Sequence, residues 1–174
     1  MRRIKSFLIR LEKEGVWFRN EFRLLGLAQI EEYLIQFEIV HNKKHLTPVR
    51  YDMRHNCFHR DIVDKDGKHV GKRKEFKVAN LEEAVKLSIN DLICHWKSLL
   101  EEGGYGDLLS TLKSLPEKKM QRAQEYLVCL IQHPDKIDDV SDIVDLTLPT
   151  ETLTLSDSVN VKLIRGTHEA KDQL

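Results

Sequence analysis

Over residues 33–41, apolar and polar side chains alternate. Tyr33, Ile35, Phe37 and Ile39 fall on one side, and Gln36 and Glu38 on the other. A period of two predicts a half-buried strand. Asn42-Lys43-Lys44 turns the chain, and 46–53 returns as a second strand. Pro48 has no amide hydrogen to give a ladder, so it belongs near an edge or at a gap in the pairing. Residues 57–64 read as a third strand and 69–78 as a fourth, joined by the Asp66-Gly67 hairpin signal. The result is an antiparallel meander of about four strands.

A different period takes over at Asn80. Leu81, Ala84, Val85, Ile89, Leu92, Ile93 and Trp96 follow at helical spacing. The Asn80 side chain stands three residues before Glu83, the arrangement of a helix N-cap. This helix, over 80–102, needs a surface to cover, and the meander supplies one. Before the meander, 4–11 and 16–25 are ambiguous. Ile4, Leu8 and Leu11 fit a helical face, whereas β-prone Val16-Trp17-Phe18 favours a hairpin turning at Glu14-Gly15. Residues 24–32 are richer in helix formers.

Gly103-Gly104-Tyr105-Gly106 marks a boundary. It divides an α+β core domain, 1–105, from an extension, 106–174. The extension is mainly helical, with a short helix over 107–115 and a second over 117–133. Short β-like runs follow at 146–148 with 153–155, and at 159–164. The expected fold class is therefore α+β: a four-stranded meander, one long helix packed on it, and the C-terminal helical extension.

Charge divides along the same line. The chain has no formal net charge, yet residues 1–105 carry net +4, residues 106–174 net −4, and 41–77 alone net +6. A basic stretch of that size favours anionic partners, RNA among them. Lysines at 65–77 also suit the guarding of a sheet edge. The acidic extension suits a protein partner or self-association. Three cysteines, Cys57, Cys94 and Cys129, stand far apart without a CxxC pair, which fits a reducing cytoplasm. No apolar run reaches the roughly 20 residues that span a bilayer. The apolar stretch at the N-terminus breaks at Arg10, so neither export nor a membrane is expected.

The densest chemistry lies between Pro48 and Gly67. There the chain reads Arg50-Tyr51-Asp52-x-x-His55-x-x-x-His59-Arg60-Asp61, then Asp66-Gly67. Five of the eight histidines, His41, His45, His55, His59 and His69, sit in or beside this block. Imidazole moves protons near neutral pH and binds metals. In an extended strand Cys57, His59, Asp61 and Val63 share one face, and Phe58, Arg60 and Ile62 the other. Arg50 and Asp52 share one face of the preceding strand, and Tyr51 and Met53 the other.

The block resembles a small prokaryotic domain family with an Arg-Tyr-Asp-x-x-His, His-Arg-Asp and Asp-Gly core, over about residues 31–102. Members usually carry Gly-Phe between the two histidines, where Asn56-Cys57-Phe58 stands here. More distantly it resembles the TumE-like toxins of toxin–antitoxin pairs. The resemblance implies a cytoplasmic prokaryotic protein and supports the strand-pair-then-helix order more than any activity.

Three functional readings follow from the residues. A metal-independent ribonuclease would use His59 and His55 as base and acid, with Asp61 or Asp52 orienting an imidazole. Arg50, Arg60 and Tyr51 would hold the phosphate, and no cofactor would be needed. Alternatively, Tyr51, Asp52 and His59 form a satisfied polar network, and the protein is a non-catalytic interaction or assembly module. A third reading is a metal-dependent hydrolase with His55, His59 and Asp61 as zinc or manganese ligands and His69 as a fourth. That ligand spacing lacks a recognised helical signature. His41 and His45 read as turn residues, His69 as a bystander across the hairpin, and His95 as a surface or packing residue.

Overall fold

The computed structural model describes residues 1–12, 15–26, 29–54 and 57–147. The predicted strands at 153–155 and 159–164 lie outside the described residues, as does His55. Seven strands form one sheet: β1 (Arg2–Arg10), β2 (Val16–Leu25), β3 (Gln29–His41), β4 (Lys44–Asp52), β5 (Phe58–Val63), β6 (His69–Phe76) and β7 (Ile143–Asp145). Their spatial order is β6-β5-β4-β3-β2-β1-β7. Pairing is antiparallel throughout except for β7, which runs parallel to β1. Two helices, α1 (Leu81–Glu102) and α2 (Glu117–Gln132), pack on one face.

This corrects the expected four-stranded meander with one helix; the α+β class stands. The N-terminal segment resolves as the β1–β2 hairpin because its buried residues alternate. Phe7 and Ile9 in β1 align with Phe18, Phe22 and Leu24 in β2, all on the helix side. The helix formers at 24–32 are overridden by pairing, with Leu24 opposite Ile30 in the β2–β3 ladder. The core continues through β3 and β4 as Tyr33, Ile35, Phe37, Val49 and Tyr51. Onto it α1 lays Val85, Ile89 and Leu92, and α2 adds Met120, Ala123 and Leu127 to the same apolar cluster.

Local signals explain the turns. Asn42 and Lys43 both take positive φ, the geometry of a two-residue hairpin turn, with His41 opposite Lys44. Pro48 sits inside the sheet, where the β3–β4 register shifts between Phe37 and Ile39, so its missing amide falls at a gap in the ladder. Asn80 caps α1, its Oδ1 accepting the Glu83 amide at 2.9 Å.

Among the described residues, no ion pair joins the acidic stretch after α2 to the basic 41–77 region. Asp138 pairs with Arg3 at 2.7 Å and Asp145 with Arg10 at 3.1 Å, at the β1 end of the sheet. The Leu8 amide donates to the Asp142 carbonyl and the Leu146 amide to that of Arg10. From the extension Asp107 reaches the basic region, taking the Lys65 ammonium at 2.9 Å. No helix among the described residues is long and apolar enough to cross a membrane.

Candidate functional site

β4 and β5 pair in a register that sets Arg50 opposite Asp61, Tyr51 opposite Arg60 and Asp52 opposite His59. Strand alternation then sends these residues to two sides of the sheet. Arg50, Asp52, His59 and Asp61 lie on the face away from the helices, and Tyr51 and Arg60 face α1. Each side is organised by one buried carboxylate.

On the face away from the helices the carboxylate is Asp61, whose side chain is 2% exposed. Its Oδ2 accepts from Arg50 Nη2 at 2.9 Å and lies 3.4 Å from His59 Nε2. Its Oδ1 accepts from Arg73 Nε at 3.1 Å and lies 3.6 Å from His69 Nδ1. Burial alone would raise the Asp61 carboxyl. The hydrogen bonds from Arg50 and Arg73 and the charge of His59 outweigh it and hold the group below its ordinary value.

His59 is as buried as its partner. Its Nδ1 stands 3.1 Å from the Cys57 carbonyl while Nε2 faces Asp61. Asp52 accepts the Arg54 amide at 2.7 Å and meets the Arg54 guanidinium at 3.5 Å, so it closes the turn that leaves β4. The groups that reach solvent are others: His69 at 54% side-chain exposure, Arg73 at 49% and Arg50 at 24%. His69 Nε2 stands 3.3 Å from Arg50 Nη2. The bystander of the sequence reading therefore belongs to the cluster.

A bulge in β6 makes room there. Arg60 pairs with Lys74 and Ile62 with Val70, so Gly71, Lys72 and Arg73 together stand opposite Asp61. Gly71 has φ +69°, and a Cβ there would come within 2.6 Å of the Glu102 carboxylate. The outward bow leaves a recess of about 190 Å³, lined by Asp61, Ile62, His69, Gly71 and Arg73.

On the helix side the carboxylate is Asp91 of α1, with a side chain 7% exposed. It accepts from the Tyr51 hydroxyl at 2.9 Å and from Arg60 Nη1. Lys74 lies 3.8 Å and His95 3.1 Å from its other oxygen. The Tyr51 hydroxyl is pushed well above the ordinary phenol range, first by burial and then by the Asp91 charge, with Arg60 working the other way. Arg60 is thus bound to α1 and separated by the sheet from His59 and Arg50. Asp91 was missed in the sequence, although Ala84, Ser88, Asp91 and His95 form a single flank of the helix at i, i+4, i+7 and i+11.

Among the described residues no group of three or more His, Cys, Asp or Glu side chains is placed to hold a metal ion. The arrangement offers guanidinium and imidazole donors fixed on a neutralising carboxylate, which suits a phosphate oxygen better than a cation. No curated protein and no solved structure matches the chain. Residues 2–102, from the start of β1 to the end of α1, match the family described as Domain of unknown function (DUF7718), and the chain belongs to that family.

Proposed function

We propose that the protein is a binding module that holds a single nucleic-acid strand by its phosphates, at the recess between β5 and β6. One observation carries this reading: Arg50, His69 and Arg73 converge on one buried carboxylate and still present exposed edges to solvent. Asp61 fixes their geometry in advance, which lowers the ordering cost of binding. Exposed Lys68, Lys72 and Lys77 continue the positive charge along the same sheet edge.

Burial favours holding over cutting. His59, Asp61 and Asp52 are 2–4% exposed, so one imidazole of the acid–base pair and both carboxylates named to orient it have little access to a substrate. A cleavage reading draws support from His69, an exposed imidazole with Nδ1 toward the Asp61 carboxylate. Fluorescence anisotropy with labelled single-stranded RNA and DNA, followed by a gel on the same samples, separates the two. We expect saturable binding, weakened by Arg73→Ala, with the oligonucleotide intact. Binding that Arg73→Ala leaves unchanged contradicts the site, and cleavage abolished by His69→Ala contradicts the non-catalytic reading.

A further inference from the structure

Three residues along β5 from Asp61, about 10 Å at strand rise, Phe58 marks the end of the β5–β6 pair, where a second hollow of about 460 Å³ opens. Its floor is apolar: Met53, Phe58, Phe76 and Val78. Phe58 is buried and backs the half-exposed Phe76, with ring centroids 5.8 Å apart. Its mouth is polar, with Glu75 and Lys77 among the lining residues. The Lys74 ammonium lies 5.0 Å from the Phe76 ring centroid. Asp61 and Asp91 themselves are not among its lining residues.

We infer that the hollow receives an unpaired base of the strand whose phosphate sits at Asp61. The inference rests on the reading above and adds what is recognised besides the backbone. Three features select a base over other occupants. The floor offers an aromatic ring and a thioether, which take a flat apolar face. Lys77 in the lining, Lys74 over the Phe76 ring and Arg73 beside Cys57 suit an occupant carried on an anionic chain. The Glu75 carboxylate repels a phosphate but accepts a hydrogen bond from an exocyclic amino group, as carboxylates do from cytosine. A duplex hides its bases in the stack, so the hollow restricts the partner to single strands.

Cys57 also lines the hollow and reports on its occupancy. Its thiol is pushed up by burial and by neighbouring Glu75, so it alkylates best at mildly alkaline pH. Exposed Cys94 on α1 serves as the internal control. The full-length protein is alkylated with and without a saturating single-stranded oligonucleotide, and each cysteine is read by peptide mass mapping. An oligonucleotide of equal length containing abasic residues is run in parallel. The ordinary oligonucleotide should slow Cys57 alkylation several-fold and leave Cys94 unchanged. The abasic one should bind roughly 5- to 150-fold more weakly, the equivalent of losing one stacked base, and should not protect Cys57. Equal affinity and equal protection from the abasic strand, or bound strand with Cys57 unprotected, overturns the base site while leaving phosphate binding intact. Binding of neither strand overturns the parent reading instead.

Discussion

Arg50 and Asp61 stand opposite each other in the β4–β5 ladder, and the guanidinium donates to the carboxylate at 2.9 Å. The pair is a direct product of register, since a slip of one residue would send one partner to the helix side. Because Asp61 also takes Arg73 and stands beside His59 and His69, it is the single point on which the exposed cations depend. Replacing it by Asn keeps the shape but leaves two guanidinium groups without their counter-charge. Hydrogen bonds to a charged group contribute about 1.5–3 kcal/mol, and because both guanidinium groups reach solvent the loss should lie toward the lower end of that range. Urea unfolding of Asp61→Asn should show a midpoint lowered accordingly, and an unchanged midpoint would mean the cluster contributes little to the fold.

The same carboxylate sets an acid limit. Its value in the folded chain lies below the ordinary 3.8. A depressed carboxyl contributes stability that is present above the unfolded value and lost as pH falls through the folded one. The difference in melting temperature between wild type and Asp61→Asn should therefore hold from neutrality down to about pH 4 and shrink below it. A difference that does not change between pH 5 and 2 would contradict the charge-based account.

At the alkaline end the tyrosines speak together. Tyr33 and Tyr51 are raised well above 10.0, Tyr105 is pushed up to about 12, and Tyr126 is raised as well, in each case chiefly by burial. These are all four tyrosines of the chain. A group whose proton is held more tightly in the fold stabilises it until pH passes its unfolded value, then loses ground. Tyrosinate absorbance near pH 10.5 should thus be nearly absent in the folded protein and about three-quarters developed in denaturant. A gradual rise with the fold intact would place a hydroxyl in solvent.

Tyr51→Phe separates the two sides of the sheet. The hydroxyl is a donor to buried Asp91, and bonds to charged groups contribute about 1.5–3 kcal/mol. Stability should fall by that amount, while oligonucleotide affinity at a temperature where the protein stays folded should not. A loss of affinity without a loss of stability would return Tyr51 to the ligand site.

Much of this architecture was legible. Alternation at 33–41, the Asp66-Gly67 turn and the Asn80 cap act over a few residues, so the sequence carries them openly. Even the opposite faces of His59 and Arg60 follow from alternation, yet their adjacent positions had suggested one phosphate site. β7 was hidden because Ile143–Asp145 has too few residues to show a period and pairs with β1 from across the chain. Asp91 was hidden because a carboxylate on a helix ordinarily faces water, and its inward turn depends on Tyr51 and Arg60 from distant strands. The recess arises from a bulge, which depends on how β5 and β6 align rather than on either strand alone.

The most direct test of the phosphate-holding site is the salt dependence of single-strand binding, compared between wild type and Arg73→Ala. Arg73 is half exposed, so its removal should leave the protein folded. Each phosphate contact on a single strand contributes about 0.7 to the slope of log K against log salt. The account predicts a steep negative slope for wild type and a slope shallower by about 0.7 for the variant. Identical slopes, or binding indifferent to salt, would contradict it.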